Sequence, residues 1–469
     1  MKFTKLGKIF LMAAISAGLV LSVTSCVSSY TVGYLFVTGT VTSGTGNNGI
    51  ISGFKIDHNT GLLTPINVLP VSSGGANPVR AVLLANSRFL YVLNRGVSSN
   101  PAGTGDCTTE YPCQGSNVEV FAVGGNGILT PQQTFFTQGV NPFRLIADST
   151  GTHLYVLEHD SPDNYAPSAT DGCAQALGST QTTCGDITAF SVDSTTGYLT
   201  LIRNQSVTVN SEYLSYFPVP SNPVDFVLSG SYIFTLSGTA ATASVDYPYT
   251  GGATVFPYNY ISTNGQLTST GTGFPWNVLS DSSPSGVPSA NAIVAAGGFI
   301  YVLDNQPIYV GGALASNSQI LPYTIGSNGG LAGVSTGNIP DDANQSNPIY
   351  LTLETRGKWF YLANQGSTNT STSTSSTGIT GYDVNTPYNP AEIPGSPISF
   401  GSGSGPQCLV EDPSNQFFYT ANINDSSVTG QLLDQNAGTL RPLSQSTKVP
   451  SEYTLSGPPT WCLVDGRTD

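Results

Sequence analysis

The chain has 469 residues, a formal net charge of −14 and only 9% charged side chains. So few cations exclude a nucleic-acid binder, which must neutralise phosphates with Lys and Arg. An apolar content of 39%, with 10% aromatics, excludes disorder. The abundance of Gly, Ser, Thr and Asn points instead to short strands joined by many turns.

Lys2, Lys5 and Lys8 precede an apolar run from Ile9 to Leu21, followed by Val23-Thr24-Ser25-Cys26. A basic start, a short apolar stretch and small residues before a cleavage point describe a secretory signal. A cysteine at that point resembles a bacterial lipobox. The apolar run is short for a membrane span. The expected organisation is a signal peptide over 1–25, a tether over 26–32 lipidated at Cys26, and one folded body over 33–469. No later stretch approaches a span, so the membrane is met only through the lipid. Val27, where Asp would retain an enteric lipoprotein at the inner membrane, favours the outer membrane, facing periplasm or surface.

A repeat of four short β-rich runs, strands A to D, then fills the chain. One unit reads Asn141-Pro142-Phe143-Arg144, Leu154-Tyr155-Val156-Leu157, Ile187-Thr188-Ala189-Phe190 and Gly197-Tyr198-Leu199. Strand A recurs after Pro78, Pro142, Pro223, Pro348, Pro406 and Pro459, with a proline-free variant near Ala290. Strand B recurs from Tyr34, Phe89, Tyr232, Phe299, Trp359 and Phe417. The chain opens on strands B, C and D of one unit and ends on a strand A, so the last strand completes the first unit. Closure of this kind removes open sheet edges. The expected fold is all-β: a seven-bladed β-propeller of four-stranded antiparallel blades, closed by the C-terminal strand and acting as a monomer.

Six cysteines remain after Cys26. Cys107 with Cys113, and Cys173 with Cys184, are placed for local disulfides in an exported chain, free thiols being the alternative. Cys408 lies two residues after its strand-A proline and Cys462 three after its own. Successive strand residues alternate faces. An offset of one therefore turns these two side chains towards each other across neighbouring blades, a staple between blade 7 and the closing strand.

The Tyr-Val-x-Asn endings of strand B and the proline-led strand A resemble the lactonase-like seven-bladed propellers, which include bacterial 6-phosphogluconolactonases and exported YVTN-repeat proteins. The resemblance covers nearly all of the chain after the signal and implies the propeller fold. In the catalytic members a Pro-His pair opens a strand A, and His, Arg and Glu line the pocket. Here Val79, Phe143, Val224, Ile349, Gln407 and Thr460 follow the prolines, and no Pro-His pair occurs.

The loops between strands B and C are long, as are several between D and A, and both kinds emerge on one face. Binding residues gather on loops held by a rigid scaffold, so this face is the expected working face. Beneath it, the second position after each strand-A proline carries Arg80, Arg144, Asp225, Ala292, Tyr350, Cys408 and Trp461 in turn. Two arginines beside aromatics and a carboxylate suit an anionic or sugar-like ligand; packing between blades is the alternative. His159, between Glu158 and Asp160 at a strand-B end, is a further ligand-binding candidate, against an ordinary loop entry. His58 and His153 fall in tight turns. No zinc spacing, dinucleotide fingerprint or P-loop occurs, so no metal and no cofactor are expected. The reading is an exported binding module for a glycan, peptide or protein, with a lactonase-like hydrolase of the cell envelope as the alternative.

Overall fold

The computed structural model describes residues 30–41, 48–84, 88–100, 107–108, 110–178, 181–238, 253–270, 276–277, 290–305, 307–334, 338–366, 377–384, 390–399, 404–443 and 452–466. The signal segment, Cys26 and most of the tether lie outside the described residues.

Seven antiparallel sheets follow one another along the chain, each in the spatial order D-C-B-A. Blade 3 is representative: Val140–Ala147 pairs with His153–Asp160, which pairs with Gly185–Val192, which pairs with Leu199–Ile202. Each strand A contacts the strand A of the next blade around a closed ring. The closing strand, Pro459–Asp465, joins Thr31–Thr40 of blade 1 antiparallel and lies between the first strands of blades 7 and 2. The seven-bladed, C-terminally closed propeller is therefore observed.

One detail differs from the expected blade. In six blades the outer strand is in two pieces, both paired to strand C, as with Leu63–Pro65 and Val71–Ser72 on Gly49–Asp57. The outer edge of a twisted sheet curves most, and breaking the strand lets it follow that curve.

The core is divided among the blade interfaces. Seven of the apolar clusters among the described residues are each shared by two neighbouring blades, and a small eighth sits around Cys173, Leu177 and Cys184. The one between blades 7 and 1 joins Tyr419 and Val428 to Leu35, Val37 and Phe54, and includes Cys408 and Cys462. Fully burying one such Leu or Phe contributes about 1.5–3 kcal/mol.

The tyrosine of the strand-B motif stitches neighbouring blades. Its hydroxyl donates to the carbonyl of the turn glycine between strands C and D of the next blade: Tyr91 to Gly197 at 2.8 Å, Tyr155 to Gly265 at 3.0 Å, Tyr361 to Gly438 at 2.7 Å and Tyr419 to Gly61 at 2.6 Å. In blades 1 and 4 that position is Phe36 and Phe234. There the residue two earlier, on the same strand face, reaches the next turn instead: Tyr34 to the Gly125 carbonyl and Tyr232 to the Ser327 carbonyl. The turn must be glycine where it is pressed on an aromatic. Gly197 has φ +74°, and a Cβ there would lie 2.6 Å from the Phe89 ring. Tyr91→Phe should cost about 1 kcal/mol, the net worth of one such bond, read as a lower urea midpoint with an unchanged slope.

All three disulfides are formed. Cys107–Cys113 and Cys173–Cys184 close loops between strands B and C, and Cys408–Cys462 bridges blade 7 to the closing strand across a Cα separation of 5.8 Å. Three disulfides suit an oxidising, extracytoplasmic compartment.

Candidate functional site

A repeated backbone device creates the site. In blades 2 to 7 strand A slips by one residue against strand B just before the second position, between Pro78 and Arg80, Pro142 and Arg144, and their counterparts. Such a bulge re-aims the side chain that follows it. In blades 2, 3, 4 and 6 the residue before the proline is Asn77, Asn141, Asn222 or Asn347, with φ between 52° and 58°. Asn tolerates this left-handed backbone better than most residues.

The ring position thereby reaches the central channel. Arg80, Arg144, Asp225, Tyr350 and Trp461, predicted as ligand-binding candidates, all line one cavity of about 480 Å³. Ala292 also lines it, and its small side chain leaves room there. The rest of the wall is mostly apolar, from Ala81–Leu83, Leu145–Ala147, Phe226–Val227, Ile293–Ala295 and Ile349, with Asp148 at the short turn of blade 3.

This placement corrects one expectation. Each wall segment continues from the ring position towards the turn between strands A and B, as from Arg144 to Asp148. The cavity therefore extends from the polar ring towards the short-turn end, away from the long loops. The ring residues stand at the beginning of strand A, so the remainder of each inner strand lies on the short-turn side of them.

The two arginines are in different situations. Arg144 Nε is 3.0 Å from Asp225 Oδ1, and its Nη1 donates to the Phe143 carbonyl at 3.1 Å. Asp225 is saturated, since its oxygens also accept the N–H groups of Phe226 at 3.0 Å and Ile293 at 3.1 Å. It ties blade 3 to blades 4 and 5. Asp225→Ala should therefore destabilise the fold by about 2–3 kcal/mol, because it leaves a partly buried guanidinium and two N–H groups unmatched; thermal unfolding checks this.

Arg80 has no such partner. Its guanidinium lies 3.6 Å over the Trp461 ring, and Tyr350 packs edge-on against that indole at 5.0 Å. Among the described residues it makes no hydrogen bond and no ion pair. Burial lowers its pKa to about 9, and Arg144 pushes the same way; it remains a cation at neutral pH. Burial raises the Tyr350 hydroxyl, which stays neutral. The cavity thus presents one uncommitted cation, held by stacking, beside a neutralised Arg–Asp pair.

No family model matches the chain, and no curated protein matches it. Solved structures do. A provisionally assigned 6-phosphogluconolactonase from Bacteroides fragilis NCTC 9343 aligns over 92% of this chain and 98% of its own, with a TM-score of 0.57 at 15% identity. A second from Bacteroides uniformis ATCC 8492 gives 0.58 at 16%, over 92% and 99%. A periplasmic gluconolactonase from Pseudomonas aeruginosa gives 0.56 at 17%, over 92% and 99%. The chain has the lactonase-like seven-bladed propeller fold. At these identities the likeness establishes the fold alone.

Set in this lactonase-like propeller, the remaining polar candidates stand apart from the cavity. His159 is not among its lining residues; its Nδ1 lies 3.2 Å from Asp160 Oδ2, and its ring meets Phe143 edge-on at 6.5 Å. The bond to Asp160 raises its pKa. His153 is buried in the short turn of blade 3, where Asp148 accepts from its backbone, from Thr152 and from Tyr260. His58 stacks on Tyr30. Among the described residues, one group of potential metal ligands gathers, Asp163 with Cys173 and Cys184. Both sulfurs are bound to each other and Asp163 accepts from Cys173 N and Tyr216 Oη, so these residues do not fit a metal ion. The sequence motifs missed the unequal pairing of the two arginines, because partner choice across blades is decided in three dimensions.

Proposed function

We propose that the protein is an exported, lipid-anchored propeller that binds a small carboxylate-bearing ligand in its central channel. The observation that carries this reading is Arg80, an unpaired guanidinium stacked on Trp461 and facing the cavity. An unmatched, half-buried cation beside a like charge is costly, and a carboxylate satisfies its planar fork with two parallel hydrogen bonds. The apolar wall suits the body of a small organic acid. The lipobox-like segment and three disulfides support export, and the fold's likeness to a periplasmic gluconolactonase agrees with that location. Docking of a glycan, peptide or protein on the loop-rich face remains compatible with this anchor, at a separate surface.

The lactonase-like hydrolase is the second reading, favoured by the neighbours' described activities. Among the described lining residues there is no His and no Glu, and the two aspartates are both held by donors, Asp225 by Arg144, Phe226 and Ile293 and Asp148 by Thr152, His153 and Tyr260. A general base within reach of a bound lactone and its attacking water is what hydrolysis requires, so binding without turnover is favoured. The mature protein should show a saturable thermal shift with gluconate or glucuronate and no hydrolysis of glucono-lactone or 6-phosphogluconolactone above background. Turnover that is lost in Arg80→Met would reverse the order of the two readings.

A further inference from the structure

The repeat supplies an internal control at the junction of strands B and C. The last residue of strand B faces the first of strand C as Asn94–Asn117, Ser237–Thr254, Asp304–Gln319, Asn364–Gly378 and Asn422–Ser427. None of these pairs holds two carboxyl groups, and Asp304 accepts from the Gln319 amide at 2.8 Å. In blade 3, where strand B runs on to Asp160 and strand C begins at Gly185, the same repeat positions are held by Glu158 and Asp186.

Both side chains are fully buried. Thr188 donates its hydroxyl to Glu158 Oε2 at 2.8 Å, and the Gly139 N–H and Thr137 hydroxyl face the same carboxyl. Glu158 Oε1 and both Asp186 oxygens meet no donor. The other titratable groups facing the pair are acids and one phenol. Asp160 is engaged by Asn141, Asn164 and His159, and Asp163 by Tyr216 and Cys173. His159 is turned to Asp160, and among the described residues no Lys or Arg touches the pair. Two bare carboxylates cannot share such a site, whereas one proton turns one carboxyl into a donor for the other.

We propose that Glu158 and Asp186 hold one shared proton at neutral pH, and that this proton locks the entry of strand A in blade 3 to the disulfide loop after strand B. Burial raises both carboxyls, and Glu158 raises Asp186 further. The lock has identifiable jaws. Gln138 N donates to Thr188 Oγ1 at 2.9 Å, and Gly139 lies so close to Asp186 that a Cβ there would come within 2.4 Å of its carboxylate. Glu158 also pairs with Pro142, across from the bulge that aims Arg144 into the channel. Losing the proton therefore loosens the strand that carries Arg144. Only that last consequence, an effect on ligand binding, rests on the function proposed above.

The sign follows from linkage. The unfolded chain releases this proton near the ordinary carboxyl range of about 4, while the folded pair retains it to higher pH. Stability is greatest below that range and falls as pH rises, about tenfold in the folded-to-unfolded ratio per pH unit for one proton, until the folded pair itself ionises. Urea unfolding of the full mature chain from pH 5 to 9 should show this slope, and Asp186→Asn should remove one proton's worth of it. An infrared band of a protonated carboxylic acid at neutral pH should be present in the wild type and absent in Asp186→Asn and Glu158→Gln. Because the band is read on the wild type as well, a variant that fails to fold leaves the question decidable. Identical pH slopes in wild type and variant, no protonated-acid band, or a midpoint that rises with added calcium and falls with chelator would each overturn the proposal.

Discussion

Replacing Cys408 and Cys462 together by alanine should lower the stability of the folded propeller by about 4 kcal/mol, the loop-closure contribution expected for this spacing. The bridged residues are 54 apart in sequence, both buried, and packed in the cluster between blades 7 and 1. The position adds to the entropy argument. The closing strand is the one strand of its sheet that comes from the far end of the chain, so nothing local returns it to blade 1 once it leaves. Its loss would expose the edge of Thr31–Thr40 and a cleft between two blades, and such edges invite association. The Cys107–Cys113 bridge spans 6 residues in a loop that carries one short hairpin. Its removal should cost about 2 kcal/mol by the same relation and leave the ring closed. Urea unfolding and light scattering of the two double variants test this contrast. The staple would be redundant if the Cys408/Cys462 variant unfolded at the wild-type midpoint while mass spectrometry showed the bridge formed in the wild type.

That staple was legible in the sequence, and the reason shows what kinds of feature are. Blade number, closure and the Cys408–Cys462 offset all follow from a repeat in which equal positions are related by rotation. Counting along the chain therefore located them in space. The candidate ring was legible for the same reason: Arg80, Arg144, Asp225, Tyr350 and Trp461 share one repeat position and meet in one cavity. What the repeat could not show was direction along the axis. Loop length suggested the wrong end for the cavity, since long loops mark tolerance to insertion as readily as function. His159 shares no position with the ring and proved remote from it. The Glu158–Asp186 pair was visible in principle, as the one place where two aligned polar positions both become acidic. It is hidden in the sequence because adjacency across strands B and C depends on register, which a one-residue slip would invert.

Arg80→Met should raise the Kd for a carboxylate ligand by about 30- to 150-fold, which is the roughly 2–3 kcal/mol lost with a hydrogen-bonded charge contact, while leaving the unfolding midpoint unchanged or higher. The second half of that statement separates a ligand-binding residue from a structural one. Arg80 is half-buried, makes no hydrogen bond, and is pressed towards the like charge of Arg144. Its stacking on Trp461 returns about 0.5–2 kcal/mol, against the cost of holding a poorly solvated cation. Methionine keeps the length and the contact with the indole and removes the charge. Arg144→Met makes the comparison, because its guanidinium answers Asp225. That variant should lose about 2 kcal/mol of stability and bind more weakly in step with it. If Arg80 were there to hold the blades together, both variants would be destabilised alike. A fold that is as stable or more so without Arg80, yet has lost its ligand, would mean that the cation is kept in the channel for what it binds.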